Sequence, residues 1–148
     1  MDLLTTKQAA VNVNVKTWED AVRTAGRLLV DCGFAEERYI DGMVNLSKEL
    51  GPYIVITPGV AIPHARPEEG AKGVGFAAVT LNPPINFGNE YNDPVYLVVG
   101  FCSPNPKAHV ELITKLARML GQDGFLDKVK AVQTNQQLVD VFNYYQPE

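Results

Sequence analysis

The chain contains only two histidines, His64 and His109, and each lies where an imidazole could do chemistry. A free imidazole titrates at about pH 6.5, so its neutral form is a nucleophile at neutral pH without an activating base. A second imidazole beside it could donate a hydrogen bond to an anion, or stabilise that anion as an imidazolium. If the two rings met in one shallow site, they would suit the transfer of a dianionic phosphoryl group.

His64 lies in the segment GVAIPHARPEEG, between a short apolar run and a charged turn that contains prolines. Pro63 predicts an extended backbone that then turns at once, and the small side chain of Ala65 leaves the neighbouring ring accessible. A structural histidine on an ordinary turn is the alternative interpretation. The sequence around His64 does not decide between the two.

His109 lies near the start of a predicted helix, residues 107–120, on the same face as the apolar Ile113, Leu116 and Leu120. This helix follows a predicted central strand, and ligands of open α/β sheets often bind at such strand-to-helix junctions. Free backbone amides at a helix start also favour anions. A buried histidine that bonds to a carbonyl is the alternative.

The composition excludes several classes of protein. A chain of 148 residues fits a single domain, residues 1–148. The net charge of −4 and the isoelectric point near 5.2 argue against a nucleic-acid partner. Cys32 and Cys102 form no C-x-x-C motif, which argues against a disulfide framework or a zinc knuckle. No signal peptide or membrane-spanning run is apparent, so we expect a cytoplasmic protein.

Motifs for cofactors are missing from the sequence. No P-loop and no H-E-x-x-H motif is present, and two histidines are few for a catalytic zinc site. The segment from Gly73 to Ala78 matches G-x-G-x-x-A, but it continues into a β-branched and aromatic run rather than a helix. We therefore predict neither a cofactor nor a metal.

Apolar periodicity predicts the elements that position the two histidines. Strands are predicted at residues 11–15, 53–57, 60–62, 75–81 and 96–102, the last of them buried on both faces. Helices are predicted from a cap at Thr17 to Gly33, at residues 37–50, 107–120 and 125–132, and after a cap at Thr134. The segment 82–94, rich in Asn and Pro, is predicted to be a long exposed loop. This order predicts an α/β fold in which helices flank a mixed β-sheet.

Three segments, GPYIVITPGVAIPHARPEEG, NDPVYLVVGF and KAHVELITKLARML, together resemble the enzyme IIA domains of the bacterial sugar phosphotransferase system. The similarity is to the mannitol/fructose superfamily. Within it, the G-P-Y and P-H-x-R-P-E-E-G segments resemble the ascorbate-type branch. The resemblance covers nearly the whole chain and implies the mixed α/β sandwich of that superfamily, a phosphohistidine relay and no cofactor.

The resemblance also implies roles for individual residues and partners. The phosphocarrier HPr would donate a phosphoryl group to Nε2 of His64, while a backbone carbonyl holds Nδ1. A cysteine of the cognate enzyme IIB would then receive it and serve the membrane permease IIC. His109 matches the second active-site histidine, which supports the phosphoryl group without being the stable acceptor.

Arg66 is a candidate for stabilising the phosphate. Mannitol-type relatives carry an arginine upstream of the P-H turn, where this chain has Lys48 and Glu49. Neutralisation of the phosphate would then fall to Arg66 or to backbone amides. An outward Arg66 that forms a salt bridge with Glu68 or Glu69 is the alternative.

Other functions remain open from the sequence alone. The same residues would serve a regulatory IIA-like module, in which phosphorylation of His64 switches binding to another protein. A metal hydrolase that uses His64, His109 and a carboxylate such as Glu111 is a more distant alternative. The transported sugar and the oligomeric state, with a homo-oligomer as one option, stay undetermined.

Overall fold

The computed structural model describes residues 4–146, which form a mixed β-sheet with helices on both faces. The strands are β1 (Ala9–Val13), β2 (Val55–Thr57), β3 (Val60–Ala61), β4 (Gly75–Ile85) and β5 (Val95–Cys102). The helices are α1 (Trp18–Asp31), α2 (Arg38–Leu50), α3 (Pro106–Leu120), α4 (Phe125–Ala131) and α5 (Asn135–Tyr145). Short 3-10 turns lie at Thr6–Gln8, Gly51–Ile54 and Pro67–Glu69. The predicted fold class is confirmed.

The sheet has the strand order β1-β4-β5-β3-β2, with β5 in the centre. Strand β5 pairs antiparallel with β4 and parallel with β3. Seven of its eight residues are buried, as the unbroken apolar run predicts. Because β3 and β5 run parallel, their carboxyl ends reach the same edge of the sheet. The chain leaves β3 there toward His64 and leaves β5 there toward α3.

Two apolar cores lie on the two faces of the sheet. Side chains of β5 alternate between them: Leu97, Val99 and Phe101 belong to one core, and Val98 and Cys102 to the other. Helices α3, α4 and α5 cover the first face, and helices α1 and α2 cover the second. The site at the sheet edge is therefore held from both sides.

Side-chain caps begin three of the helices at the predicted residues. The Thr17 hydroxyl accepts a hydrogen bond from the Asp20 amide at the start of α1, and Thr134 forms a capping box with Gln137 at the start of α5. The Asn105 side chain accepts a hydrogen bond of 2.8 Å from the Ala108 amide, so the first turn of α3 is fixed. That turn carries His109.

The structure corrects three predicted boundaries. Strand β1 spans Ala9–Val13 rather than residues 11–15, and inside it Asn12 adopts a left-handed φ of 54° where the pairing register shifts between Ala10 and Val13. Residues 53 and 54 belong to the 3-10 turn Gly51–Ile54, so β2 is shorter than predicted. Strand β4 continues through two prolines to Ile85, which pairs with Val95, and the predicted loop is shortened to match.

None of the helices within residues 4–146 combines the length and the apolar character needed to cross a membrane.

Candidate active site

The two histidines meet at the edge of the sheet where β3 and β5 end. Their ring centroids lie 5.1 Å apart, and the ring planes make an angle of 65°. His64 follows β3 through Pro63, and His109 sits in the first turns of α3. Both residues are half-buried. The predicted convergence of the two imidazoles is therefore observed in the fold.

The backbone fixes the tautomer of His64. Nδ1 of His64 lies 3.0 Å from the carbonyl oxygen of Ile62. A carbonyl oxygen can only accept a hydrogen bond, so the neutral ring carries its proton on Nδ1. The lone pair is then on Nε2, which makes Nε2 the nucleophilic atom.

Phe101, the penultimate residue of β5, provides an aromatic floor beneath both histidines. Its ring stacks on His64 with a centroid distance of 4.6 Å and an interplanar angle of 28°. The same ring lies 5.2 Å from the His109 ring. Phe101 is fully buried, so it cannot move aside without disturbing the core. No role was predicted for Phe101 from the sequence, although it lies in the apolar run of residues 96–102.

Comparison with known proteins identifies the family. Residues 2–145 match the model of the family described as "Phosphoenolpyruvate-dependent sugar phosphotransferase system, EIIA 2". The chain belongs to this family.

Similar proteins and solved structures agree with the assignment of this chain to the EIIA family. It is 35% identical to the ascorbate-specific PTS system EIIA component of Shigella boydii over 93% of this chain and 90% of the relative. It is 28% identical to the mannitol-specific cryptic enzyme IIA CmtB of Escherichia coli, with a TM-score of 0.85 and coverage of 96% of each chain. The Escherichia coli complex of mannitol IIA with phosphorylated IIB is 23% identical, with a TM-score of 0.81 and coverage of 93% of this chain and 95% of that one. This last likeness shows the fold alone.

These findings confirm the predicted resemblance, the fold and the class of activity. The protein is a phosphotransferase component of the sugar phosphotransferase system, and its similarity to ascorbate-specific relatives agrees with the predicted branch. The roles of individual residues rest on the geometry of the site.

The site of this EIIA protein favours neutral imidazoles. Burial lowers the pKa of His64 below the ordinary imidazole value of 6.5, and the nearby charge of His109 lowers it further, whereas the hydrogen bond to Ile62 opposes both. Burial also lowers the pKa of His109. At neutral pH the Nε2 lone pair of His64 is therefore available.

The lowered pKa of His64 predicts how the rate of phosphorylation depends on pH. Protonation of Nε2 removes the lone pair, and a lowered pKa moves this loss below pH ~6.5. We expect the rate to fall on acidification with a midpoint below about pH 6.5, the ordinary imidazole value. Stopped-flow phosphorylation on both sides of this midpoint, together with NMR titration of the His64 ring, measures both quantities.

The matched variant for this pH prediction is His109→Ala. It removes a charge that lowers the pKa of His64, so the NMR midpoint of His64 should move upward. A wild-type midpoint at or above 6.5 would contradict the prediction.

Arg66 forms an ion pair with a carboxylate that was not among its predicted partners. Its guanidinium forms an ion pair of 3.2 Å with Glu49 near the end of α2, and not with Glu68 or Glu69. Both side chains are substantially exposed, so the pair contributes little to stability. The predicted role of Arg66 toward phosphate stays a prediction, and such a role would require the guanidinium to share or leave Glu49.

The metal-hydrolase alternative lacks ligands. Within residues 4–146, no three His, Cys, Asp or Glu side chains are grouped so that they could hold a metal ion. Glu111 therefore does not complete a set of ligands with His64 and His109, and its side chain is exposed.

Proposed function

We propose that this protein accepts a phosphoryl group from phospho-HPr on Nε2 of His64 and passes it to a cysteine of the cognate enzyme IIB. The carrying observation is the pair of facing imidazoles, one with Nδ1 bound to Ile62 and both resting on Phe101. A stacked ring with its proton fixed on Nδ1 presents Nε2 in a single direction. Such preorganisation is what phosphoryl transfer requires, since positioning and electrostatics supply most of the catalysis.

The relay consists of two displacements at phosphorus. In the first, the Nε2 lone pair of His64 forms a bond to phosphorus as the bond to the donor breaks, and the donor keeps that electron pair. In the second, a thiolate of IIB forms a sulfur–phosphorus bond while the electron pair of the nitrogen–phosphorus bond returns to Nε2. No redox partner and no net proton transfer at Nδ1 is needed.

His109 is proposed to stabilise the phosphoryl oxygens. Its Nδ1 is buried without a hydrogen-bond partner among the described residues. A proton on that atom would be a buried donor with no acceptor, which is unfavourable. The proton of the neutral ring is therefore assigned to Nε2, which can donate to a phosphoryl oxygen. The tautomers of the two histidines would then be complementary, one a nucleophile and the other a donor.

The wider setting of the relay is also part of this proposal. Similarity to ascorbate-specific components favours ascorbate or a related compound as the transported substrate, carried by a IIC permease that this protein serves indirectly. The family match to residues 2–145 supports one IIA domain over residues 1–148. Cys32 and Cys102 are both free thiols, in agreement with a cytoplasmic location.

A reconstituted relay tests the proposed function. The wild-type protein with phosphoenolpyruvate, enzyme I and HPr should gain one acid-labile phosphate, and ³¹P–¹⁵N NMR should place it on Nε2. Adding the cognate IIB should then remove it. Phosphate on Nδ1, or no phosphate at all, would contradict the proposal. Retention of phosphate with every candidate IIB would favour the regulatory alternative instead.

A further inference from the structure

A buried tyrosine on α2 connects the two backbone segments that carry the site. Tyr39 is fully buried in the first turn of the helix. Its hydroxyl oxygen accepts a hydrogen bond of 3.1 Å from the amide of Ala65, the residue after His64. The hydroxyl also lies 2.9 Å from the carbonyl oxygen of Phe101 and 3.2 Å from that of Ala65, so its proton can be donated to either.

The Tyr39 hydroxyl remains a hydroxyl at all relevant pH values. Burial raises the pKa of Tyr39 well above the ordinary value, so the group keeps the proton that it donates. A buried hydroxyl is favourable only when it is hydrogen-bonded, and here its partners are main-chain groups of the site. A phenylalanine would fill nearly the same space in the core. The hydroxyl therefore contributes hydrogen bonds to the backbone of the site that a phenylalanine in the same space could not form.

Helix α2 also approaches the His64 turn closely at a second point. A Cβ atom on Gly42 would lie 3.1 Å from the Cβ of Ala65 and 3.1 Å from the Cβ of Glu69. The absence of a side chain at Gly42 therefore lets the helix lie directly against the turn. Tyr39, one helical turn earlier, then reaches the backbone on the same side.

We propose that Tyr39 is a positioning residue for the phosphoryl relay, and this rests on the proposed function of His64. Its hydroxyl joins the turn after His64 to the end of β5, from which the Phe101 ring extends beneath both imidazoles. The distance between the nucleophilic ring and its floor is thereby set by one side chain that never contacts phosphate. Without that hydroxyl, the stacking of His64 on Phe101 loses the hydrogen bonds that fix the turn relative to the strand end, and Nε2 is no longer held in line with the incoming phosphorus.

The test compares Tyr39→Phe with Ser47→Ala. Both changes remove one buried hydroxyl from α2, but the Ser47 hydroxyl donates its hydrogen bond to the Met43 carbonyl of its own helix. In steady-state transfer from phospho-HPr, Tyr39→Phe should lower kcat by about 10- to 100-fold with KM within about twofold, since displacements of about 1 Å can cost this much. Ser47→Ala should leave both constants near the wild-type values.

A spectroscopic measurement separates positioning from general loosening. The ring resonances of His64 should shift or broaden in Tyr39→Phe and stay unchanged in Ser47→Ala. Equal kcat values in the two variants, or a rise in KM alone, would overturn the inference. A wild-type protein that takes up no phosphate would overturn the proposed function first, and that result is known before any variant is made.

If Tyr39→Phe does not fold, hydrogen exchange of the Ala65 amide in the wild-type protein tests the inference instead. The Ala65 amide should exchange slowly because the Tyr39 oxygen accepts its proton. Exchange as fast as that of an open loop amide would overturn the inference.

Discussion

His64→Ala is expected to abolish phosphorylation by phospho-HPr, with a rate more than about 10³-fold below that of the wild-type protein. The variant removes the only imidazole whose Nδ1 is bound to a backbone carbonyl so that Nε2 is left free. His109 cannot substitute, because its Nδ1 is buried and the turn that would direct it toward the donor belongs to His64. Phosphate incorporation measured by ³²P transfer or intact-protein mass spectrometry gives the rate.

The matched control for this variant is His109→Ala, which removes the other imidazole and should still take up one phosphate. His64→Ala removes the stacking on Phe101 and the hydrogen bond to the Ile62 carbonyl, so the free energy of unfolding should fall by about 1–3 kcal/mol. Urea unfolding of both variants checks that the fold survives. Phosphate incorporation into His64→Ala would show that another residue is the phosphoryl acceptor.

His109→Ala is expected to slow phosphoryl transfer to IIB by about 10²-fold, the typical cost of removing one donor that stabilises a developing anion. The reason is geometric, since the His109 ring lies 5.1 Å from the His64 ring and can donate a hydrogen bond to a phosphoryl oxygen carried on His64. Single-turnover transfer from the phosphorylated protein to IIB measures the effect. His109→Gln, which retains a side-chain donor, should lose less.

Thr114→Ala supplies the matched control on the same helix. Thr114 is exposed, and its hydroxyl bonds to the Val110 carbonyl of α3. Its removal should leave the transfer rate within about twofold of wild type, as for other surface changes of about 0.5 kcal/mol or less. Wild-type kinetics in His109→Ala would remove His109 from the mechanism.

Much of the fold could be predicted because its signals are local. Thr17, Asn105 and Thr134 cap their helices as their side-chain chemistry predicts. The apolar run of β5 identified the central strand, since a strand that is buried on both faces has no polar alternation. The residues alone left open whether the two histidines meet, and the resemblance to the enzyme IIA family implied that they share one site; their rings lie 5.1 Å apart.

The misplaced boundaries depended on tertiary contacts that local sequence does not record. The alternation of residues 11–15 continues past the end of β1, but the last pair of the strand joins Val13 to Leu81, after an irregularity at which the Asn12 amide bonds to the Thr80 hydroxyl. Two prolines in β4 indicate a loop by composition. The strand nevertheless continues to Ile85, which pairs with Val95.

The contacts that organise the site were harder still to predict. Tyr39 lies on the buried face of α2, where an aromatic residue indicates core packing, and the sequence does not reveal that its hydroxyl reaches Ala65 and Phe101. Likewise, the sequence places Glu68 and Glu69 beside Arg66, but the observed partner is Glu49 on a neighbouring helix. One signal was available: a tyrosine in an apolar helix stripe needs a hydrogen-bond partner.

The parallel alignment of β3 with β5 has a consequence for how the protein matures. All of β4 lies between them in the chain, so the strands join only after a long loop has closed, and contacts of this kind form slowly during folding. Helices alone cannot bring the two imidazoles together. A refolding chain should therefore accept a phosphoryl group only after β3 has paired with β5. The time course of phosphorylation during refolding then reports when this pairing is complete.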